Sequence, residues 1–414
     1  MAAVELAAAL SGSGTAAAGP GGKVECPAGL VCHLTPAAAN NYDTAERPDD
    51  GDGIRYIVIH DTEERYDLAV ARFQNPSSRV SAHYVIRSSD GQITQLVRTR
   101  DIAHHTGNYW FNMHSIGIEH EGVLVDGARW YTTPMYQASA RLVRYLAARY
   151  HIPLDRNHIL SHEEIPGSTP EDVAGMHYDP GPYWDWARYF HLLGAPLWDS
   201  PLPPARIPAT LVVTIAPRFP TNSEPVQSCV GDSCTALPRQ GSNMVYLHTG
   251  PSLEAPLIRD PALHPDGSPG TTRVADWSAK AVTGQSFVVA GRTSGWTAIW
   301  FGGQMAWFHD PLNQVSALGH GPLITPRPGR PAIPVYGAAF PEAAAYPPAI
   351  PVTAVVPLQY TIPAGQFYVG VDRGFGDYYV RHSHDLVVGN RRLVEISFNH
   401  RRAFVDASDV LILR

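Results

Sequence analysis

The chain has 414 residues and a formal net charge of −7; 44% of its residues are hydrophobic and 17% are charged. This apolar content supports packed cores and excludes a largely disordered chain. A weakly acidic chain without a dense run of Lys or Arg is a poor candidate for binding nucleic acid or an anionic membrane surface. No segment approaches the roughly 20 apolar residues of a membrane-spanning helix. The length predicts two to three domains.

Residues 1–52 have the composition of a flexible or loosely folded N-terminal region. The segment begins with many Ala, Gly and Ser residues, and the run Asp49-Asp50-Gly51-Asp52-Gly53 near its end interrupts regular structure. We therefore predict that the first folded domain begins at about residue 53.

Residues 53–195 alternate between short apolar runs and longer amphipathic stretches. The apolar runs predict buried strands, and Asp90-Gly91 predicts a hairpin turn between the second and the third of them. We expect a helix from about Pro134, with Thr132 or Thr133 as its N-cap and one apolar face. Strands that alternate with helices are typical of an α/β layer domain. The predicted strands span residues 54–60, 81–87, 92–97, 115–119 and 157–161.

The amino-acid composition of the chain changes after residue 195. Residues 196–240 contain many prolines and predict an extended linker. Beyond it, short alternating strands and turn residues are typical of small β-barrels. Because two regions, 241–315 and 316–414, share features such as Gly284-Gln285 and Gly365-Gln366, we predict a degenerate tandem repeat of two modules. A single all-β domain of another topology is the alternative.

The four cysteines fall into two local pairs, Cys26 with Cys32 and Cys229 with Cys234. An even number of cysteines in short loops favours disulfides formed in an oxidising compartment. We therefore predict a secreted protein, either extracellular or associated with a cell wall. Four unrelated thiols are the alternative.

Three potential metal ligands lie in distinctive local sequences. His60 ends an apolar run, His162 follows the last predicted strand, and Asp179 opens a turn rich in Pro and Gly. Two imidazoles and one carboxylate can bind Zn²⁺ and leave a fourth position for water, which is the arrangement of catalytic rather than structural zinc sites. The chain has 19 histidines and none of these ligands forms a compact motif, so the spacing alone is a weak signal.

The surrounding motifs strengthen this signal because four of them occur together and in order. They are Ile57-Val58-Ile59-His60, Ser81-Ala82-His83-Tyr84, Ser115-Ile116-Gly117-Ile118-Glu119 and Asp179-Pro180-Gly181-Pro182-Tyr183-Trp184. Together they resemble the zinc-dependent N-acetylmuramoyl-L-alanine amidases, the family that also contains phage lysozyme-type amidases and peptidoglycan-recognition proteins. The resemblance covers about residues 53–190. It implies a mixed central sheet flanked by helices and one zinc ion in a groove on one face.

The resemblance assigns roles position by position. His60, His162 and Asp179 match the family's metal ligands, and Glu119 matches the carboxylate that acts as general base. Glu121 is a competing carboxylate, because it would share the side of Glu119 if the strand continues.

His177 matches a Lys or His position that stabilises the oxyanion in this family. A cationic side chain there offers electrostatic stabilisation of the tetrahedral intermediate. The stretch 168–176 is longer than usual in the family, however, and a longer loop can displace both His177 and Asp179.

The resemblance also implies contacts with substrate. His105 matches a position that lines the substrate groove, His83 belongs to the second motif, and Asn108 and Trp110 offer contacts with sugar or peptide. An ordinary aromatic surface loop is the alternative for the segment that contains Asn108 and Trp110.

The two C-terminal regions resemble bacterial SH3-like modules that accompany cell-wall hydrolases. The similarity consists of a Gly-Pro-Ser segment, a Gly-Trp pair and a closing aromatic strand. It implies that these modules bind the cell wall, which would raise the effective concentration of the enzyme on an insoluble polymer.

Our leading hypothesis is a secreted peptidoglycan hydrolase that cleaves the amide bond between N-acetylmuramic acid and L-alanine by zinc-activated water. One alternative is a peptidoglycan-recognition protein without catalytic activity. Another is a different zinc hydrolase that acts on stem peptides. Because all three ligand positions carry metal-binding residues, the sequence favours an enzyme.

Overall fold

The computed structural model of the protein describes residues 23–48, 53–198, 212–231 and 233–413. We call residues 23–198 the α/β region. Its helices are α1 (Tyr66–Gln74), α2 (Tyr109–His114), α3 (Gly127–Trp130), α4 (Thr133–Tyr150) and α5 (Trp186–Leu193). Its strands are β1 (Cys32–Leu34), β2 (Tyr42–Asp43), β3 (Tyr56–Asp61), β4 (Tyr84–Ile86), β5 (Ile93–Gln95), β6 (Ile102–Ala103), β7 (Ser115–His120) and β8 (Ile159–Ser161).

A six-stranded sheet in the order β1-β5-β4-β7-β3-β8 forms the centre of the α/β region. The inner strand β3 runs parallel to both β7 and β8, whereas β4 and β5 run antiparallel to each other. The sheet is therefore mixed, and the predicted α/β fold is confirmed. The turn between β4 and β5 contains Gly91 with φ of 73°, a conformation that favours glycine, at the position predicted from Asp90-Gly91.

Helix α4 follows the predicted pattern closely. The side chain of Thr132 accepts a hydrogen bond from the backbone N–H of Met135, so Thr132 is the N-cap, and Pro134 lies in the first turn. The apolar face of the helix packs in the core that it shares with the sheet and α5. The buried residues of this face include Met135, Leu142, Val143, Leu146 and Tyr150.

The N-terminal segment is folded where the structure describes it. Strand β1 pairs in parallel with β5, and Arg47 is 3% exposed. The guanidinium of Arg47 donates hydrogen bonds to the carbonyl oxygens of Met113 and Ser115, at 2.9 and 2.8 Å. Because a buried cation needs such partners, this segment is fixed on the α/β region. The predicted flexible region is therefore wrong for residues 23–48; residues 1–22 and 49–52 lie outside the described part of the chain.

Both predicted cysteine pairs are confirmed as disulfides. Cys26 is bonded to Cys32, and Cys229 is bonded to Cys234. The first closes the loop that leads into β1.

The C-terminal part of the chain consists largely of strands, as predicted. In the first β region (residues 212–318) they are β9 (Val212–Ile215), β10 (Gln227–Val230), β11 (Ser233–Ala236), β12 (Met244–Tyr246), β13 (Lys280–Val282), β14 (Ser286–Thr293), β15 (Trp296–Phe301), β16 (Gln304–His309) and β17 (Ser316–Leu318). In the second β region (residues 323–413) they are β18 (Leu323–Pro326), β19 (Ala332–Tyr336), β20 (Pro357–Pro363), β21 (Tyr368–Tyr379), β22 (Leu386–Ser397), β23 (Arg402–Asp406) and β24 (Val410–Leu413).

The boundaries of the β regions differ from the predicted ones. A five-stranded sheet has the order β16-β15-β14-β9-β17, so β9 is an inner strand although the sequence assigned it to the linker. The predicted linker 196–240 is therefore wrong after residue 211, and residues 199–211 lie outside the described chain. The second β region forms a seven-stranded sheet in the order β20-β19-β23-β22-β21-β18-β24. The likeness of either region to SH3 modules stays a prediction.

Both β regions share hydrophobic cores with the α/β region. Tyr56 and Trp110 of the α/β region share a core with Phe404 of β23, and the rings of Trp110 and Phe404 lie 4.8 Å apart. Tyr56 also donates a hydrogen bond of 2.6 Å from its hydroxyl to the buried carboxylate of Glu395. Apolar contacts and a buried hydrogen bond show that the two regions form a packed interface. Among the described helices, none combines the length and apolar character needed to cross a bilayer.

Candidate functional site

The ends of three adjacent strands bring polar side chains to one edge of the sheet. His60 on β3 is paired with Glu119 on β7, and the two strands run in parallel. Paired residues of neighbouring strands point to the same face of a sheet. On the other side of β3, Ile59 is paired with Ser161, so His162 follows directly at the same edge. The strand register thus explains why residues that are distant in sequence converge.

His60, His162 and Asp179 form a compact buried cluster, with exposures of 1%, 3% and 4%. One potential ligand atom from each residue lies within 4.8 Å of the other two. Asp179 Oδ1 lies 2.9 Å from His162 Nδ1, and Asp179 Oδ2 lies 3.4 Å from His60 Nδ1. His162 Nε2 is buried and has no hydrogen-bond partner among the described residues. Two imidazoles and one carboxylate fit three of the four positions around a tetrahedral zinc ion and leave the fourth for water.

The protonation states of this cluster also favour metal binding. Burial, followed by repulsion from His162, lowers the pKa of His60 to about 4. Burial alone would raise the pKa of Asp179, but attraction and hydrogen bonds from His162, His177 and His60 hold it well below its usual range. Neutral imidazole and ionised carboxylate are the forms that bind metals, so these two side chains are already in them at neutral pH. The longer stretch 168–176 does not displace Asp179 from the cluster.

His105 has a hydrogen-bond partner at each of its two ring nitrogens. Its Nδ1 lies 2.9 Å from His60 Nε2, and its Nε2 lies 3.1 Å from Ser115 Oγ. The Ser115 hydroxyl in turn donates to the carbonyl oxygen of Phe111 at 2.6 Å. Both ring nitrogens of His105 are therefore engaged inside the protein. The residue also lines the cavity beside the cluster, and its contact with substrate stays a prediction. A hydrogen bond on the second nitrogen of a metal-ligating histidine fixes the orientation of the ring.

Glu119 faces the same cavity as the cluster. Its Oε2 atom is buried without a hydrogen-bond partner among the residues that the structure describes. Burial, and then the nearby carboxylates of Asp179 and Asp61, raise the pKa of Glu119 well above its usual value. A carboxyl group with a raised pKa beside three potential metal ligands is suited to accept and return a proton.

The competing carboxylate, Glu121, is used structurally. It accepts hydrogen bonds from the backbone N–H groups of Tyr66 and Ser88, at 3.1 and 2.8 Å. Because both of its oxygens are engaged away from the cavity, Glu121 lacks the free carboxylate oxygen that Glu119 has.

His177 lies at the mouth of the site. Its side chain is 71% exposed, and its Nδ1 lies 3.5 Å from Asp179 Oδ1. The rings of His177 and His162 are 4.7 Å apart. A hydrogen bond with Asp179 raises the pKa of His177 above its usual value. Because Asp179 favours the cationic form of this exposed side chain, His177 is suited to contact a developing negative charge.

Three other predicted contacts with substrate are corrected by burial. His83, Asn108 and Trp110 are 0%, 0% and 1% exposed. His83 accepts a hydrogen bond from the backbone N–H of Gly117, and Trp110 Nε1 donates to Asp377. Side chains without exposed surface cannot touch a polymer outside the protein, so these three residues belong to the interior and not to the lining of the site.

The ligand cluster opens into a cavity of about 690 Å³. Residues of the stretch 168–176, which is longer than usual in the family that the sequence resembles, form one wall. The sequence did not single out several residues of the cavity, such as Glu63 and Arg72, because no motif surrounds them. The polar and charged residues of the lining include Thr62, Glu63, Glu64, Arg72, Ser81, His104, Thr106, Glu171 and Asp172.

Comparison with known proteins agrees with this geometry. The family model described as N-acetylmuramoyl-L-alanine amidase matches residues 50–182. N-acetylmuramoyl-L-alanine amidase A of Achromobacter lyticus is 36% identical over 174 residues, which cover 38% of this chain and 90% of that protein. The 1,6-anhydro-N-acetylmuramyl-L-alanine amidase AmpD of Citrobacter freundii is 38% identical over 117 residues, which cover 27% of this chain and 56% of the relative.

Solved structures also match part of this chain. AmiD from E. coli, solved in complex with a substrate, is 25% identical, with a TM-score of 0.31 over 39% of this chain and 66% of that one. A mutant endolysin from Bacillus subtilis is 23% identical, with a TM-score of 0.26 over 32% of this chain and 84% of that one. The sequence similarity to the Achromobacter enzyme spans nearly all of that relative. This chain therefore belongs to the N-acetylmuramoyl-L-alanine amidase family, enzymes that hydrolyse the amide bond between N-acetylmuramic acid and L-alanine in peptidoglycan.

Proposed function

We propose that this amidase is zinc-dependent and that His60, His162 and Asp179 hold one zinc ion per chain. The observation that carries the proposal is the convergence of these three buried side chains within 4.8 Å. A bound zinc ion supplies nucleophilic water at neutral pH and polarises the carbonyl of the substrate.

In this proposal Glu119 is the general base. Its unpartnered oxygen, Oε2, accepts the proton of the attacking water and returns it to the nitrogen of the leaving L-alanine. Burial and the nearby carboxylates raise the pKa of Glu119, which makes its carboxylate a stronger proton acceptor. His60 is kept in one orientation by His105 and Ser115 while this transfer takes place.

His177 stabilises the oxyanion in the same proposal. Its exposed ring lies beside Asp179 and faces the open cavity. A cation there is worth about 10²–10³-fold in rate, as for other oxyanion donors.

The pH dependence of His177→Lys tests this role. A raised pKa means that His177 is cationic below that pKa and loses its charge as the pH rises through it. The alkaline decline of the wild-type rate should therefore move to higher pH in the lysine variant, because the usual pKa of lysine is near 10.4. The rate on soluble muropeptide would be measured from about pH 6 to 10, with His177→Gln as the uncharged control. An unchanged alkaline decline in His177→Lys contradicts the role.

Removal of the metal tests the zinc proposal itself. Dialysis against a chelator should abolish hydrolysis in proportion to the zinc removed, and one equivalent of Zn²⁺ should restore it. A chelator saturated with zinc beforehand serves as the control for direct inhibition. Zinc-free protein that keeps its full rate would exclude the proposal. Zinc-free protein that only binds peptidoglycan, and stays inactive after zinc is returned, would favour a recognition protein.

We further propose that the protein works outside the cell on the cell wall. The two disulfides support an oxidising compartment. Binding of the wall by the β regions is part of this proposal and is supported by the resemblance of their sequences to SH3-like modules.

A further inference from the structure

Two of the three proposed zinc ligands lie at the two ends of a single loop. We call residues 162–179 the ligand loop, since it begins at His162 and ends at Asp179. The backbone N–H of Glu163 donates a hydrogen bond of 2.9 Å to the carbonyl oxygen of Asp179, which closes the base of the loop. Two further contacts from the α/β region hold the first arm of the loop: Arg156 Nη2 lies 2.7 Å from Glu164 Oε2, and Asn108 Nδ2 donates to the carbonyl oxygen of Pro166 at 3.0 Å. The rest of the 16 residues between the ligands still has many conformations to lose.

Arg401, which lies more than 220 residues further along the chain, bridges both arms of the ligand loop. It donates hydrogen bonds to the carbonyl oxygen of Ile165 at 2.6 Å and to that of His177 at 2.8 Å. A longer bond of 3.3 Å reaches the carbonyl oxygen of Met176. Arg401 therefore contacts the loop three residues after His162 and two residues before Asp179.

The position of Arg401 is itself well determined. Arg401 is 3% exposed, and its guanidinium lies 4.5 Å from the ring centre of Trp277. Its backbone N–H donates to Asn399 Oδ1 at 2.8 Å, within the turn between β22 and β23. Burial lowers the pKa of Arg401 to about 10, so the group is still cationic at neutral pH. Hydrogen bonds from a charged donor are stronger than neutral ones, which makes this cation an effective anchor for carbonyl groups.

Further contacts connect the ligand loop with the β regions. His400 Nε2 lies 3.1 Å from the carboxylate of Glu163, the residue next to His162. Val173, in the middle of the loop, is 2% exposed and packs in the core that contains Trp277 and the strands of the second β region. The loop is thus held at both arms and at its middle by residues outside the α/β region.

We propose that Arg401 is a positioning residue that holds the ligand loop in the geometry needed to bind zinc, so that the second β region is a built-in part of the metal centre. The proposal rests on the proposed function in one respect, namely that His162 and Asp179 bind zinc. It extends the role of the β region from wall binding to maintenance of the catalytic site.

The variant Arg401→Lys tests the proposal in the full-length protein. Lysine keeps the charge but cannot reach both arms with a planar fork of donors. We expect the dissociation constant for Zn²⁺, measured by competition with a chromophoric chelator, to rise by about 10-fold or more, as for other residues that orient metal ligands. Hydrogen exchange in the zinc-free protein should be faster at the amides of the ligand loop and unchanged in β3.

Arg402→Lys is the matched control. Arg402 is equally buried and adjacent in sequence, but it donates to the carbonyl oxygen of Arg156, and its approach to the ligand loop is a 3.9 Å ion pair with Glu164. We expect a change of less than 3-fold in its zinc affinity and no local change in loop exchange.

Several outcomes would overturn the proposal. Unchanged zinc affinity and loop exchange in Arg401→Lys would do so, and so would exchange that is faster throughout the protein. If Arg401→Lys does not fold, Asn399→Ala replaces it, because this variant removes the acceptor for the Arg401 backbone amide. We expect its dissociation constant for Zn²⁺ to rise by about 3-fold, with faster exchange only in the ligand loop. No change in Asn399→Ala would then overturn the proposal. Hydrogen exchange is measured in the zinc-free protein, so it does not depend on the metal site. If the ligand loop exchanges faster in Arg401→Lys but the wild-type protein binds no zinc, the result would refute the metal site and still support Arg401 as the anchor of the loop.

Discussion

Replacement of His162 by alanine is expected to lower the rate of muropeptide hydrolysis by about 10³-fold or more. A metal ion contributes several kcal/mol of charge stabilisation in the transition state, and each 1.36 kcal/mol corresponds to a factor of ten. His162 is 3% exposed and its Nε2 atom has no hydrogen-bond partner among the described residues, so its imidazole is available for a metal. The measurement is kcat/KM on soluble muropeptide, with circular dichroism to verify the fold.

His191→Ala is the control for this substitution. His191 is exposed on α5 and lies outside the cavity, so its loss should change the rate by less than 2-fold. A folded His162→Ala protein that retains more than a tenth of the wild-type rate would contradict the assignment of His162 as a ligand.

Replacement of Glu119 by glutamine has the second large expected effect. Glutamine has nearly the same shape but cannot accept a proton, so kcat should fall by about 10²–10⁴-fold. The zinc content should stay at the wild-type level, because Glu119 lies on β7 beside the ligands without belonging to the ligand cluster. This combination separates a catalytic role from a role in metal binding.

Glu121→Gln provides the matched comparison two residues further along the chain. Glu121 accepts hydrogen bonds from two backbone amides, so its replacement should lower the free energy of unfolding by about 1–3 kcal/mol. The kcat of the folded fraction should stay near the wild-type value. If instead Glu121→Gln abolishes hydrolysis and Glu119→Gln does not, the general base has been assigned to the wrong carboxylate.

The parts of the fold that were predictable depend on local patterns. Alternation and apolar runs located β3, β7 and β8, and the cap at Thr132 located α4. These signals are local because a strand or helix shows its buried face in its own sequence. The convergence of His60, His162 and Asp179 was also predictable, but it came from the resemblance to a family rather than from spacing.

The parts that were not predictable depend on contacts between distant segments. The fixed position of Arg47 depends on carbonyl groups about 65 residues away, and no pattern around it records them. The strand β9 looked like a linker because its four residues are flanked by prolines, yet it pairs with β14 and β17. Pairing of this kind is set by the whole sheet rather than by the strand itself.

The predicted contacts with substrate show the same limit at the level of single side chains. His83, Asn108 and Trp110 lie in or near motifs of the site, but their side chains point into the interior. A motif gives the place of a residue along the chain, whereas the direction of its side chain depends on the packing of neighbouring segments. Asn108, for example, donates to the carbonyl oxygens of Pro166 and Gly337.

The most direct test of the catalytic zinc site is the zinc content of the purified wild-type protein, measured together with its products on peptidoglycan. Elemental analysis should give one zinc ion per chain, and the same sample should release L-alanine N-termini without new reducing sugar ends. His162→Ala should lose both the zinc and the products. A wild-type protein that releases the same products without zinc would contradict the assignment of His60, His162 and Asp179 as a catalytic zinc site.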